Sequence, residues 1–236
     1  MGFIIKNLYS MTGMYVLSIV ILTIIVKTAL LPLVLSQLKS QEALSKIQPK
    51  LKELQKKYKN DKETLNIKTM ELYKENNANP FASCLPLLIQ LPIIIALFAV
   101  LKEPEVYIFS SFANQGKEII ESGFLWVPNL AQPDMLNNVI NLSFSKSIPG
   151  LLPIAAAILT YLQFVVASPM ASMDEQSQSM TKNMKMIMPV MILLFSSSMS
   201  AGLVIYWVVS NVYQICQQVL IKKIKDSKKY KEEEAI

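Results

Sequence analysis

Five long runs of apolar residues, separated by polar stretches, set the pattern of this chain. A helix needs about 20 apolar residues to cross the ~30 Å hydrocarbon core of a bilayer, and each run approaches or reaches that length. The pattern therefore predicts an all-α polytopic membrane protein with five transmembrane helices, at residues 15–35, 82–101, 149–168, 184–199 and 203–221.

The polar stretches between the runs predict the parts outside the membrane. Between the first two runs, apolar residues recur at helical spacing on both sides of a break at Lys59–Asp61, which indicates two amphipathic helices folded as a hairpin. The lysine-rich face of that hairpin is either a solvated surface or a docking surface for acidic lipid headgroups or a partner. The tail is expected to be disordered. The predicted segments are an outer interfacial segment (1–14), a cytoplasmic helical hairpin (36–81), an extracytoplasmic loop with short interfacial helices (102–148), a cytoplasmic loop (169–183) and a cytoplasmic tail (222–236).

Lysines decide the orientation and the number of spans. Ten lie in residues 36–80 and six in the tail, against three in residues 102–148. Lysine-rich flanks stay in the cytoplasm, so an even number of spans must separate the two rich segments. This requires a real turn at Ser200–Gly202 between the fourth and fifth runs. The N-terminus is then outside and the C-terminus inside.

A lysine inside the first apolar run is the most informative single residue. Placing Lys27 there costs between about 2.5 and more than 10 kcal/mol, so a charge at this depth indicates function. None of the five runs contains Asp or Glu. Other polar or amphipathic residues within the runs could line a hydrated groove with Lys27: Thr23, Gln90, Gln163, Tyr206, Trp207, Ser210, Asn211 and Gln214. The alternatives are bonding between helices for the single polar residues and an interfacial aromatic belt for Tyr206 and Trp207.

The composition removes several kinds of chemistry. The chain has no histidine, which is the commonest zinc ligand and general base, and all of its 23 basic residues are lysines. Its two cysteines lie in apolar stretches, and its six glycines form no phosphate-binding loop. We therefore expect neither an enzyme nor a cofactor.

Two long motifs, in order, resemble the YidC/Oxa/Alb membrane-protein insertases. They are NPFASCLPLLIQLPIIIALF at Asn79–Phe98 and SAGLVIYWVVSNVYQICQQ at Ser200–Gln218, with VKTALLPLVLSQLKSQ and IQPKLKELQKKYKND matching the first segment and the hairpin. The resemblance implies five helices enclosing a hydrophilic groove that is open to the cytoplasm and to lipid but closed outward. Lys27 stands where bacterial members usually have arginine, and Gln163 and Trp207 look like other groove-lining positions. The match is to the form that lacks the large extracytoplasmic domain.

The resemblance implies a membrane protein insertase and chaperone of the bacterial plasma membrane. Its partners would be nascent membrane proteins and the bilayer, with the Sec translocon, the signal recognition particle receptor and the ribosome as further candidates and no specific nucleic acid. The residues alone leave two other classes open. One is a small-solute or ion transporter that uses the polar site, and the other is a protease that pairs Lys27 with Ser18 or Ser210.

Overall fold

The computed structural model describes residues 2–78, 85–102, 119, 121, 123–140, 148–167 and 175–233. Within these residues no strand occurs, and the only β-type pairings are two isolated bridges. The prediction of an all-α protein is therefore confirmed. In chain order the helices are α1 (Gly2–Thr12), α2 (Tyr15–Ala29), α3 (Leu31–Lys57), α4 (Lys62–Glu75), α5 (Leu85–Lys102), α6 (Leu151–Ala167), α7 (Glu175–Ser196) and α8 (Ala201–Glu233).

The first apolar run is not one helix. It is interrupted at Leu30, where α2 has ended and α3 has not yet begun. Pro32 explains the break, because a proline lacks the backbone N–H of a helix interior and its ring collides with the carbonyl four residues earlier. The expected continuous helix over 15–35 is thus two helices, and the second continues far into the predicted hairpin.

The described part of the tail, residues 222–233, is helical, although the sequence predicts a disordered tail. α8 continues without a break from its apolar part to Glu233. Lysine and glutamate have good helix propensity, and extending an existing helix avoids the cost of nucleating a new one. Two other predictions fall wholly or partly outside the described residues: most of the extracytoplasmic loop, and residues 169–174 of the second cytoplasmic loop.

By length and composition, one described helix is suited to crossing a membrane, over Ala201–Ser227. A second results if α2 and α3 are counted together as one interrupted span. Three shorter apolar helices cover Gln90–Val100, Leu151–Val166 and Asn183–Ser196. The arrangement of five spans therefore stays a prediction.

The chain divides into two compact units. One comprises Ala29–Ile94 and Ser168–Met184, and its core lies between α3 and α4. Ile47, Leu51 and Leu72 are buried there, on the faces that the sequence pattern assigns to the hairpin. Asp61 begins α4 by accepting a hydrogen bond from the backbone N–H of Thr64 at 3.0 Å.

The other unit comprises Met1–Thr28, Ile95–Ala167 and Lys185–Ile236. Three of its helices start against the same segment, residues 123–140, which we call the 123–140 loop. Leu130 and Gln132 accept hydrogen bonds from the first amides of α8, and Asp134 accepts one from the start of α6. Tyr15, at the start of α2, lines a small cavity together with Leu130. α2, α6 and α8 therefore run in the same direction, away from this loop.

α7 runs in the opposite direction within that unit. Ile192, near its C-terminal end, packs against Ala156 and Val204, which lie near the starts of α6 and α8. α7 ends at Ser196 and α8 starts at Ala201. A turn over residues 197–200 therefore separates these two helices. The lysine distribution requires a turn here, but Ala201 and Gly202, which the sequence assigns to it, already belong to α8.

Candidate functional site

Lys27 lies near the end of α2 and faces α8. Its half-buried ammonium Nζ donates a hydrogen bond to Oε1 of Gln214, over 3.4 Å. Beside this pair, the hydroxyls of Thr28, which follows Lys27, and Tyr213, which precedes Gln214, lie 2.9 Å apart and are hydrogen-bonded. Two successive polar bridges therefore join α2 to α8, and the first of them carries a positive charge.

The two bridges lie far along α2 and α8 from the starts of these helices. Gln214 is 13 residues after Ala201, and Lys27 is 12 residues after Tyr15. At 1.5 Å per residue these separations are about 20 Å and 18 Å. The first lysine of the tail, Lys222, follows Ala201 by 21 residues, or about 32 Å. The charge of Lys27 is therefore about two thirds of the way along the apolar part of α8.

A third polar bridge joins α6 to α8 closer to the 123–140 loop. The amide Nδ2 of Asn211 donates to Oγ1 of Thr160 at 2.9 Å and lies 3.5 Å from the carbonyl oxygen of Ala156. The Thr160 hydroxyl itself donates to that same carbonyl at 2.7 Å. Both side chains are buried. This bridge has the form of the bonding between helices that the sequence left open as an alternative.

Three other predicted site residues are buried. Thr23 is fully buried and its hydroxyl donates to the Ile19 carbonyl of its own helix at 2.7 Å. Tyr206 and Ser210 on α8 are exposed by 2% and 4%. Access of a substrate to these three residues therefore requires a rearrangement, and their place in a groove stays a prediction.

The remaining predicted residues are half-buried. Trp207 packs against the apolar layer, by which we mean the buried Ala156, Ile192 and Val204. Gln163 lies on α6, one turn beyond Thr160. Gln90 lies on α5 in the unit that contains the hairpin. The structure thus brings Lys27 and Gln214 together, whereas a shared site with Gln163 or Gln90 stays a prediction.

Sequence reasoning missed the pair of Thr28 and Tyr213. Tyr213 belongs to the polar stripe of the last apolar run, but nothing in the sequence indicates that Thr28 faces it. The role of Asp134 was also missed, since it lies in a loop with no periodic pattern. Asp134 lies outside the apolar runs, so nothing in the sequence indicates that its carboxylate is completely buried. Among the described residues, no group of three His, Cys, Asp or Glu side chains could hold a metal ion.

Comparison with known proteins gives consistent matches over most of the chain. Residues 7–229 match the model of the family described as 60Kd inner membrane protein. The chain is 36% identical over 223 residues to the membrane protein insertase YidC of Fusobacterium nucleatum, covering 94% of this chain and 93% of that protein. It is 38% identical over 210 residues to the protein of the same name from Clostridium tetani, covering 89% and 82%.

A solved structure has a similar fold. It is described as an active YidC insertase crystal structure with the first transmembrane domain resolved, and it matches with a TM-score of 0.62 at 25% sequence identity. The match covers 89% of this chain and 42% of the solved chain, so this chain spans less than half the length of that protein.

Proposed function

This chain belongs to the 60Kd inner membrane protein family, and from that premise we propose that it inserts other proteins into the membrane. The insertases of Fusobacterium nucleatum and Clostridium tetani match it over most of their own length as well as over most of this chain. The observation that carries the proposal is the position of Lys27, hydrogen-bonded to Gln214 between two parallel helices.

Lys27 is the residue that attracts the substrate. A lysine ammonium is a compact charge with three donors. The Lys27 side chain is half-buried and not enclosed, so acidic groups of a substrate can approach it. At an effective dielectric constant of about 20, a carboxylate about 4 Å away gains about 4 kcal/mol of attraction before desolvation is subtracted. The hydrophilic segment ahead of a substrate helix therefore enters a groove that we propose is lined by Lys27, Gln214 and Gln163.

The groove shortens the apolar barrier, and the substrate helix supplies the driving force. Polar side chains offer partners to a hydrophilic segment that hydrocarbon would leave unsatisfied. Once the apolar helix of the substrate leaves the groove for lipid, its transfer from water releases about 25 cal/mol per Å² of apolar surface. The proposal contains no bond-breaking step and no cofactor, in keeping with a function that is not enzymatic.

The orientation follows from the lysines. Lys222, Lys223 and Lys225 are exposed at the end of α8 that lies away from the 123–140 loop, and such residues favour the cytoplasm. We propose that the N-terminus and the 123–140 loop are outside the bacterial plasma membrane, and that the hairpin and the tail are inside. Nascent membrane proteins are the substrates, and the ribosome, the signal recognition particle receptor and the Sec translocon are candidate partners on or beside the cytoplasmic face.

Purified protein in liposomes tests the proposal directly. A small single-span substrate synthesised in the presence of these liposomes should become protected from an externally added protease, and liposomes without the protein should give little protection. Equal protection in both would contradict the proposal. A transporter would instead move ions or small solutes across the same liposomes in the absence of any protein substrate.

A further inference from the structure

The 123–140 loop contains a buried carboxylate that the proposed mechanism does not use. Asp134 is fully buried, and its two carboxylate oxygens accept three hydrogen bonds. Trp126 Nε1 donates at 3.3 Å, Asn138 Nδ2 at 3.2 Å and the backbone N–H of Leu152 at 2.9 Å. Since a buried charge is costly unless it is satisfied, these contacts explain why an aspartate is tolerated there.

Asp134 ties the loop to the start of α6. The first amides of a helix have no partner within the helix and carry the positive end of its dipole, so a carboxylate at Leu152 is stabilising. The backbone adds to this contact, because the Gly150 N–H donates to the Asp134 carbonyl at 2.9 Å. Position 150 must be glycine in this arrangement, since a Cβ there would collide with the Asp134 carboxylate.

The same loop holds the start of α8. The Ala201 and Gly202 amides donate to the carbonyls of Gln132 and Leu130 at 2.8 Å and 3.0 Å. One loop of 18 residues, 123–140, therefore supplies acceptors for the first amides of two parallel helices, which have no acceptor within their own helix. The next residues along α6 and α8 from the loop include Ala156 and Val204, which form the apolar layer with Ile192. The polar bridges of Asn211 and Lys27 come only after that layer.

We propose that Asp134 is a positioning residue that locks the starts of α6 and α8 together through the 123–140 loop and so keeps water out at this end of the helices. Without Asp134, the Trp126, Asn138 and Leu152 donors lose their acceptor, which favours detachment of the loop. Water then reaches the apolar layer, and the polar interior around Lys27 is no longer closed on the side of the loop. The proposal concerns the resting protein and does not depend on insertase activity.

A buried reporter cysteine tests the proposal. In a Cys84→Ser, Cys216→Ser background, Val204→Cys places a thiol at a fully buried position directly below the loop. In liposomes containing the protein, a membrane-impermeant thiol reagent should label this position slowly. Adding Asp134→Ala should raise the labelling rate at least about tenfold, which corresponds to about 1.4 kcal/mol of lost closure. Trp126→Phe removes one donor and keeps an aromatic ring, so it should raise the rate less.

Two controls separate opening from unfolding. Asp61→Ala also removes a carboxylate at a helix start, but that carboxylate is exposed and lies in the other compact unit, so it should leave the rate unchanged. A second reporter, Leu51→Cys, is 6% exposed in the core of the hairpin, which belongs to the other compact unit. Labelled in detergent, where the reagent reaches both faces of the protein, it should stay protected in the Asp134→Ala protein, whereas global unfolding would expose both reporters. Unchanged labelling at position 204 in Asp134→Ala would overturn the proposal, as would equal exposure of both reporters. Should Asp134→Ala fail to accumulate, Trp126→Phe decides by the same two readouts.

Discussion

At the scale of single residues, polar side chains within the apolar helices fall into two groups that differ in burial. Asn211 and Thr160 are buried and bonded to each other, so they hold α6 against α8. Lys27 and Gln214 are bonded to each other but half-buried, so they stay within reach of a third group. Burial therefore separates residues that hold the helices together from residues suited to meeting a substrate.

The bond between Asn211 and Thr160 should have a measurable coupling energy. Asn211→Leu and Thr160→Val each remove one partner, and together they form a double-mutant cycle. Such bonds between membrane helices average about 0.6 kcal/mol and reach about 1.7 kcal/mol, so we expect a coupling in that range in reversible detergent unfolding. Additive losses of stability would mean that the two side chains do not interact.

Sequence alone identified the charged residue of this site but not its full surroundings. An isolated lysine in an apolar run is conspicuous because the free energy of placing its charge in the membrane is high, whichever side of the helix it is on. The partner of a threonine is different, because it depends on how two helices that are far apart in sequence are rotated against each other. Thr28 and Tyr213 meet across 185 positions, and no local pattern encodes that pairing.

At the scale of elements, the hairpin of α3 and α4 has its own small core. Ile47 and Leu51 from α3 pack with Leu72 and Ala78. The hydrogen bonds that Asp61 accepts from Thr64 hold the pKa of the Asp61 carboxyl below its usual value. The capping carboxylate therefore stabilises α4 above the pKa of an unfolded aspartate, near 4, and this contribution is lost as the pH falls through the lower folded value.

Removing a core side chain should loosen the hairpin without affecting the other unit. Leu72→Ala leaves a cavity where a side chain was 8% exposed, and such changes in soluble cores cost about 2–5 kcal/mol. Amide hydrogen exchange should accelerate across α3 and α4, while α6 and α8 stay protected. Met70→Ala is the matched control, because Met70 on the same helix is 51% exposed. Equal acceleration in both variants would argue against this core.

The helices were predictable from periodicity, but their ends were not. The break at Lys59–Asp61 is visible in the sequence because polar turn residues interrupt the apolar spacing. The break at Leu30 is hidden inside a continuous apolar run, where only Pro32 indicates it. The helical tail was missed for the opposite reason, since a charged composition suggests disorder although lysine and glutamate favour a helix that has already started.

At the scale of the whole molecule, one compact unit contains α6, most of α2, the C-terminal part of α7 and all of α8, together with the 123–140 loop. Three parallel helices start at the 123–140 loop. Two of them, α6 and α8, contribute to the apolar layer, and the polar bridges lie beyond it. Counted from the loop, the bridges of Asn211 and Lys27 therefore lie beyond the apolar layer. This order is consistent with the proposed groove, which receives substrates from the opposite end and is closed at the loop.

A reciprocal charge exchange between the protein and its substrate tests the central claim most directly. In proteoliposomes, Lys27→Glu should lower the insertion of a single-span substrate with acidic residues in its leading segment by about tenfold or more, because attraction becomes repulsion. Changing those substrate residues to lysine should restore insertion by the Lys27→Glu protein. Lys223→Glu makes the same change of charge at an exposed position of α8 and should insert the acidic substrate normally. Normal insertion of the acidic substrate by Lys27→Glu, or no restoration by the lysine substrate, would contradict the account.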